Sequence, residues 1–171
     1  MNASNIYLNQ KGRNGHSMCL SVESELVKGF PDVVKTRGVI LHKKNEFHVT
    51  LLSIRALCDV ARIAEEEVVS LFDDFAKKHR IAVAGFLDDF RFAEDDQHKT
   101  IIVRCIVSNL DALFAELNRT FHVALPVQPA HVTLYTLQNI GIHIPSEKIM
   151  ESLPRIDIPE LETALKTIKH T

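Results

Sequence analysis

One short pattern, a histidine and a threonine two residues apart and followed by leucine, occurs twice in this chain. It fills residues 47–51 as Phe-His-Val-Thr-Leu and returns 83 positions later, in residues 130–134, as Ala-His-Val-Thr-Leu. Both copies are rich in apolar and β-branched residues, which favours β-strands. Because strand side chains alternate between two faces, each copy has an apolar face and a face that carries the histidine and threonine. Two such strands predict one shared polar cleft.

The polar faces of the two predicted strands supply the candidate site residues. Histidine has an ordinary pKa of about 6.5, so it can exchange a proton near neutral pH. Two histidines across one cleft can therefore act as general base and general acid. We predict His48 and His131 as catalytic residues, and Thr50, Thr133 and Tyr135 as phosphate-binding residues. For Tyr135, stacking on a base and half-buried packing within the strand are the alternatives.

Composition limits the class of protein. A chain of 171 residues can form one domain with a sizeable core. The formal net charge of −2 argues against a protein that coats long duplex nucleic acid, because such proteins neutralise many phosphates. The three cysteines are odd in number and not closely spaced, which favours free thiols in a reducing cytosol. With no signal-peptide pattern and no run of roughly 20 apolar residues, we expect a cytoplasmic protein that does not enter a membrane.

The first half of the chain is predicted to contain a strand, a helical turn, a hairpin and one long helix. Residues 1–15 are expected to be a flexible N-terminal segment. The elements predicted after it are a strand at 17–22, a helical turn at 24–30, a hairpin of strands 38–42 and 46–53 with its turn at 43–45, and a helix at 60–79 capped by Asp59.

The second half is predicted to contain a second hairpin, a helix and the second motif strand. In order, the predicted elements are strands 81–93 and 99–108, a helix at 110–120 capped by Ser108 or Asn109, a connector at 121–129, a strand at 130–137, and helices at 146–153 and 159–169. Strand pairs separated by helices indicate an α+β fold with mostly antiparallel sheet.

The two motifs, on predicted strands about eighty residues apart, resemble the two-histidine (2H) phosphoesterase superfamily. Its members include RNA 2′,3′-cyclic phosphodiesterases and proteins once called 2′-5′ RNA ligases. The resemblance implies that residues 16–171 form one bilobal α+β domain, with antiparallel sheets around a central groove and flanking helices. It implies a monomeric, metal-independent cyclic phosphodiesterase without cofactor, acting on a small cyclic nucleotide or an RNA terminus. The alternative is a non-catalytic module of the same fold that binds a nucleotide or RNA end.

The resemblance also assigns roles within the site. It implies that one histidine activates water and the other protonates the leaving ribose oxygen. For a 2′-phosphate product we predict His131 as the base and His48 as the acid, with the roles exchanged if the other ester bond breaks. Family members that process RNA often carry an arginine two residues after the leucine, where this chain has Ser53 and Thr136. This departure favours a small nucleotide-like ligand over long RNA.

The remaining charged residues and histidines carry no shared pattern. Lys43, Lys44, Arg91 and Lys99 could line a groove, but each is interpreted as a surface charge. The sequence contains no His-Glu-x-x-His, His-x-His or Cys/His ligand spacing, so no metal site is predicted. The other seven histidines are interpreted as surface residues: His16, His42, His79, His98, His122, His143 and His170.

Overall fold

The computed structural model describes residues 5–11 and 15–169, and within them the fold is α+β. The strands are β1 (Ile6–Asn9), β2 (Ser17–Ser21), β3 (Val33–Thr36), β4 (Val39–Lys43), β5 (His48–Ser53), β6 (Val83–Glu94), β7 (Lys99–Val107) and β8 (His131–Thr136). The helices are α1 (Ile54–Ala61), α2 (Glu65–Lys78), α3 (Leu110–Phe121), α4 (Glu147–Ser152) and α5 (Pro159–Lys169), with a 3₁₀ turn at Ser24–Leu26. The predicted class, α+β with antiparallel sheet, is confirmed.

The second motif strand, β8, lies at the centre of a single sheet that forks there. The strands follow the order β1-β2-β5-β8-β4-β3, and β7, with β6 beyond it, pairs with the other edge of β8. One edge of β8 is shared between two strands: Val132 pairs with Val49 of β5, and Tyr135 pairs with Lys43 of β4. The two motif strands are therefore direct neighbours.

The predicted hairpin between β4 and β5 is wrong, because β8 pairs with both of them. The hairpin partner of β4 is β3, an element missing from the sequence prediction. The two strands meet at Thr36 and Val39, so the turn consists of Arg37 and Gly38. Both have positive φ, 48° and 76°, as a type I′ turn requires. This tight turn lets β3 and β4 pair with each other as a hairpin, so β5 can pair with strands elsewhere in the chain.

The N-terminal segment contains a strand where the sequence suggested flexibility. β1 pairs with β2 in antiparallel register from Ile6–Leu20 to Asn9–Ser17. The half-buried Ile6 and Leu8 pack against the core, which gives this short edge strand its apolar anchor. The prediction that residues 1–15 are flexible is therefore wrong for β1. Residues 1–4 and 12–14 lie outside the described part of the chain.

The single helix predicted at residues 60–79 is two helices. α1 ends at Ala61, and the next residue, Arg62, takes a left-handed conformation with φ 55°. Asp59 lies inside α1 and does not cap a helix. α2 begins after Ala64, whose backbone N–H donates to Oε1 of Glu67 at 3.0 Å. The apolar periodicity continued across the break, so it could not reveal the change of direction at Arg62.

Several predictions in the second half are confirmed. β6 and β7 form the expected hairpin, and Leu113, Phe114 and Leu117 are the buried face of α3. Ser146 caps α4 by accepting the N–H of Ile149. Asn109 occupies the predicted N-cap position of α3, but neither candidate side chain bonds to the helix. The Ser108 hydroxyl and the Asn109 amide both donate to the carbonyl of Arg80.

The sheet has two differently packed faces. The main core includes Val49 and Val132 and packs with the helices into one large apolar cluster. A separate small cluster consists of Ile102, Ile144 and Met150, with Leu153 beside it. This cluster attaches the segment after β8 to β7. Within residues 5–11 and 15–169, no helix combines the length and the hydropathy that crossing a bilayer requires.

Thr100 is expected to be a stabilising site for substitution. Its Oγ1 is buried without a hydrogen-bond partner among the described residues, and a buried unsatisfied hydroxyl destabilises the folded state. Thr100→Val keeps the shape and removes the polar group. We expect the free energy of unfolding, measured by urea denaturation, to rise by about 1 kcal/mol. The exposed Thr120→Val is the control, and a loss of stability in Thr100→Val would show that the hydroxyl is hydrogen-bonded in solution.

Candidate active site

The two motifs meet through one backbone pair, Val49 with Val132. Because the strands are antiparallel, His48 and Thr133 flank this pair at one end, while Thr50 and His131 flank it at the other. Both valines are fully buried, so the histidines and threonines project from the opposite face. Side chains placed diagonally across such a pair have Cβ atoms about 7–8 Å apart. This is the diagonal on which the two histidines stand.

Each motif strand carries a β-bulge directly after its threonine. In β5, Thr50 and Leu52 pair with the consecutive residues Cys19 and Met18, which leaves Leu51 as the extra residue. In β8, Thr133 and Tyr135 pair with consecutive residues of β7, which leaves Leu134 extra. An extra residue breaks the alternation of faces. Both strands accordingly share one burial pattern, with three buried residues in a row after the threonine.

The bulge turns Tyr135 away from the cleft. Tyr135 is fully buried in the main core, and its hydroxyl donates to the carbonyl of Pro31 at 2.7 Å. Burial raises the pKa of this phenol. The expectation that Tyr135 faces the cleft and contacts phosphate is therefore corrected: strict alternation places it there, but the chain carries one residue more than alternation allows.

The four motif side chains line a cavity of about 380 Å³. This volume lies in the range of small-molecule sites. Around them the wall is formed by the N-terminal Asn9, Lys11, Gly15 and Ser17, by Lys44, by Gln128, and by the loop of residues 139–144. Among the described residues that line the cavity, none is an aspartate or glutamate. A cavity with lysines, histidines and hydroxyls and without carboxylates suits an anion.

His131 has a defined orientation and tautomer. Its Nδ1 lies 2.8 Å from the carbonyl oxygen of Pro129. A carbonyl can only accept, so Nδ1 carries the proton, and in the neutral ring Nε2 keeps a free lone pair. Burial lowers the pKa of His131, the hydrogen bond to Pro129 opposes this, and the nearby His143 and Arg104 lower it further. The ring is therefore set up to accept a proton at Nε2.

His48 is also held neutral in the free cleft. Burial lowers its pKa to about 4, and the charges of Lys44 and His131 contribute in the same direction. The carboxylate of Glu46 acts in the opposite direction and raises the pKa of His48. A bound anion would favour the protonated imidazole, because an opposite charge nearby stabilises the charged form.

Lys44, interpreted from the sequence as a surface charge, lines the cavity. It lies in the segment before β5, and its backbone N–H donates to the carbonyl of Leu134. Burial lowers the pKa of its ammonium group, as expected for a cation partly withdrawn from water. The other three basic candidates have carboxylate partners elsewhere: Lys43 pairs with Asp32, Arg91 with Asp89, and Lys99 with Glu94.

The loop after β8 supplies a wall that the sequence missed. His143, interpreted as a surface residue, is exposed and also lines the cavity, and its partial burial there lowers its pKa. Gly141 approaches the motif closely, since a Cβ there would lie 3.2 Å from Oγ1 of Thr133. Among the other histidines, His98 is buried and contacts Asp95. His170 lies outside the described residues.

Two further observations bear on the chemistry of the site. Ser53 and Thr136, which occupy the positions of the family's arginine, are buried and do not line the cavity. In the part of the chain that the structure describes, no three His, Cys, Asp or Glu side chains converge as a metal-ion site.

Comparisons with protein-family models, with curated proteins and with solved structures found no match for this chain. The likeness to the two-histidine phosphoesterases therefore rests on the two motifs. The functional argument depends on the residues of the cavity and their geometry.

Proposed function

We propose that the protein is a metal-independent phosphodiesterase that hydrolyses 2′,3′-cyclic phosphates of nucleotides or short RNA ends. The observation that carries the proposal is the Val49–Val132 pair, which brings two His-Thr pairs onto one face of the sheet. Two imidazoles on a diagonal, with a hydroxyl beside each, match the needs of a single phosphorus centre between a base and an acid.

In the proposed reaction His131 is the general base. Its Nε2 takes a proton from water, and the water oxygen forms a bond to phosphorus. The bond from phosphorus to the ribose 3′-oxygen breaks in line, and His48 gives that oxygen a proton, which leaves a 2′-phosphate. The fixed tautomer of His131 supports this direction. Cleavage of the other ester bond exchanges the two roles.

The other cavity residues stabilise charge in this scheme. Thr50 and Thr133 donate hydrogen bonds to the non-bridging phosphate oxygens, and Lys44 balances their negative charge. Hydrogen-bond donors held by strands need little reorganisation as charge develops. In some members of the family, the arginine two residues after the motif leucine supplies a cation. In this chain Lys44 supplies one from a different position in the sequence.

The proposal includes the class of ligand and the setting. A cavity of about 380 Å³ suits a nucleotide or the last residue of an RNA strand, in keeping with the buried Ser53 and Thr136. We propose that the protein acts as a monomer in the cytoplasm. The fork of the sheet at β8 supports the family's two-lobed arrangement, with β5 and β8 lining the groove between lobes.

The decisive experiment is a screen of 2′,3′-cyclic nucleotides and of RNA oligomers with a cyclic end, with EDTA present. Products are read by mass and by the position of the phosphate. The expected result is a single 2′-phosphate product whose rate does not change with EDTA. Tight binding without turnover would instead favour a non-catalytic module that binds nucleotide ends.

The pH dependence of kcat/KM is expected to be bell-shaped with its maximum below pH 6.5. A cleft with one protonated and one neutral imidazole is most populated between the two histidine pKa values. The pKa of His48 is lowered to about 4, and burial lowers the pKa of His131 below its usual value of 6.5. Activity should therefore fall as pH rises through the higher value and as pH drops through the lower. The profile of kcat/KM reports the free enzyme.

Lys44→Met tests the cause of that acidic optimum. Removing this cation removes one of the effects that lower the pKa of His48, so the limb of the bell that is governed by His48 should move to higher pH while KM rises. Lys35→Met, an exposed lysine on β3, is the control. An optimum near pH 8 in the unmodified protein would contradict the proposed protonation states.

A further inference from the structure

Arg104 stands beside His131 on the cleft face of the sheet. The register of β7 and β8 pairs the two residues directly, and the side chains of a directly opposed pair project from the same face. The side chain of Arg104 is 24% exposed, so it is only partly accessible to solvent.

Arg104 is held in place by two carboxylates. Its Nη2 lies 2.6 Å from Oε1 of Glu147, the first residue of α4, and its Nη1 lies 3.7 Å from Oδ2 of Asp89. Asp89 already has closer partners: Arg91 at 2.5 Å and Arg155 at 3.4 Å. Glu147 is therefore the main partner of Arg104, and it lies in the segment that follows the cavity wall.

Resting on the proposed function, we propose that Arg104 is a positioning residue for the general base. Glu147 fixes the guanidinium beside His131, and this fixed positive charge disfavours a second positive charge on the imidazole. His131 then meets the substrate as a neutral ring with its Nε2 lone pair free for a proton from water.

The groups that face His131 differ in how their charge responds to pH. Among the described residues, His48 approaches from β5, His143 from the loop after β8, and Arg104 from β7, while the connector contributes the neutral carbonyl of Pro129. Lys44 acts on His48. The histidines can lose their charge in the same range as His131, whereas a guanidinium keeps its charge throughout. The carboxylates of Glu147 and Asp89 affect His131 through their ion pairs with Arg104.

Removing the positive charge of Arg104 and removing the negative charge of Glu147 should shift the titration midpoint of His131 in opposite directions. In protein with isotope-labelled histidine, NMR follows the His131 imidazole, assigned by its loss in His131→Ala. Arg104→Met removes the cation, so the midpoint should rise by about one pH unit. Glu147→Gln leaves the cation less neutralised, so the midpoint should fall by about half a unit. If Arg104 and Glu147 had only a structural role, the two variants would not shift the midpoint in opposite directions.

Two matched variants separate charge from disturbance of the network. Arg104→Lys keeps the charge and should leave the midpoint within about 0.3 unit of the unmodified protein. Arg155→Met removes another guanidinium from Asp89, but Arg155 is 62% exposed and bonds the carbonyl of Asp88, so it should leave His131 unchanged. Glu147 is half exposed, so Glu147→Gln keeps the test decisive even if Arg104→Met does not fold.

An unchanged midpoint in Arg104→Met, or shifts of the same sign in Arg104→Met and Glu147→Gln, would overturn the proposal. The titration needs no substrate, so it is independent of the proposed function. If the midpoints shift as expected but no cyclic phosphate is hydrolysed, the coupling between Arg104 and His131 is supported and the proposed phosphodiesterase activity is refuted. If cyclic phosphates are hydrolysed but the midpoints do not shift, the phosphodiesterase activity is supported and the coupling between Arg104 and His131 is refuted. Where both hold, the limb of the kcat/KM profile that is governed by His131 moves to higher pH in Arg104→Met, because the imidazole then keeps its proton to a higher pH.

Discussion

Replacing His131 or His48 with alanine is expected to lower kcat/KM for a 2′,3′-cyclic nucleotide by about 10²- to 10⁴-fold, the range lost with a positioned acid or base. Without His131 the attacking water has no acceptor for its proton, and without His48 the ribose oxygen leaves as an anion. Because the two act on one transition state, removing both should cost less than the product of the single losses. The measurement is steady-state hydrolysis near the optimal pH.

The control for these variants is His42→Ala. His42 is an exposed histidine on β4, in the same sheet as the motif strands but outside the cavity lining. Its replacement should leave kcat/KM unchanged. Both cleft histidines are only half-buried, so their replacement should leave thermal unfolding close to that of the unmodified protein. Full activity in either cleft variant would end the acid–base assignment.

Elements defined by local signals could be predicted from the sequence. The β6–β7 hairpin joins two apolar strands through a polar turn, and α5 begins with Pro159, a residue suited to the first turn of a helix. Strand pairing was harder, because it depends on distant residues. β4 and β5 are adjacent in sequence, yet β8 occupies the place between them. The Arg37-Gly38 turn was the available local signal for the correct partner, β3.

The candidate site was predictable where it depended on a repeated pattern. The structure brings His48, Thr50, His131 and Thr133 into one cavity, while their catalytic and binding roles stay predictions. Tyr135 was misplaced because a one-residue bulge leaves no mark in the pattern of apolar residues. Residues such as Lys44 and His143 reach the cavity from segments between elements, and only the folded arrangement shows which of the chain's many charged and histidine side chains do so.

Replacing Thr50 or Thr133 with valine is expected to lower kcat by about 10²-fold, the cost of losing one donor that stabilises a developing anion. Valine has the shape of threonine, so the close approach of Gly141 to Thr133 is kept. In Thr50→Val the hydrogen bond between the Thr50 hydroxyl and Sγ of Cys19, 3.9 Å long, is lost together with the hydroxyl. Only the hydroxyl is removed. Thr50→Ser and Thr133→Ser keep the hydroxyl, lose the methyl group, and should retain most of the activity.

The division of the effect between kcat and KM decides what the hydroxyls do. A donor that bonds more strongly to the transition state than to bound substrate lowers kcat when it is lost, with little change in KM. A donor that holds both equally raises KM and leaves kcat unchanged. The register around Val49–Val132 places one hydroxyl beside each imidazole, so we expect the two valine variants to behave alike and to lower kcat. A rise in KM alone, in both variants, would make the threonines substrate-holding groups and would leave charge stabilisation to Lys44.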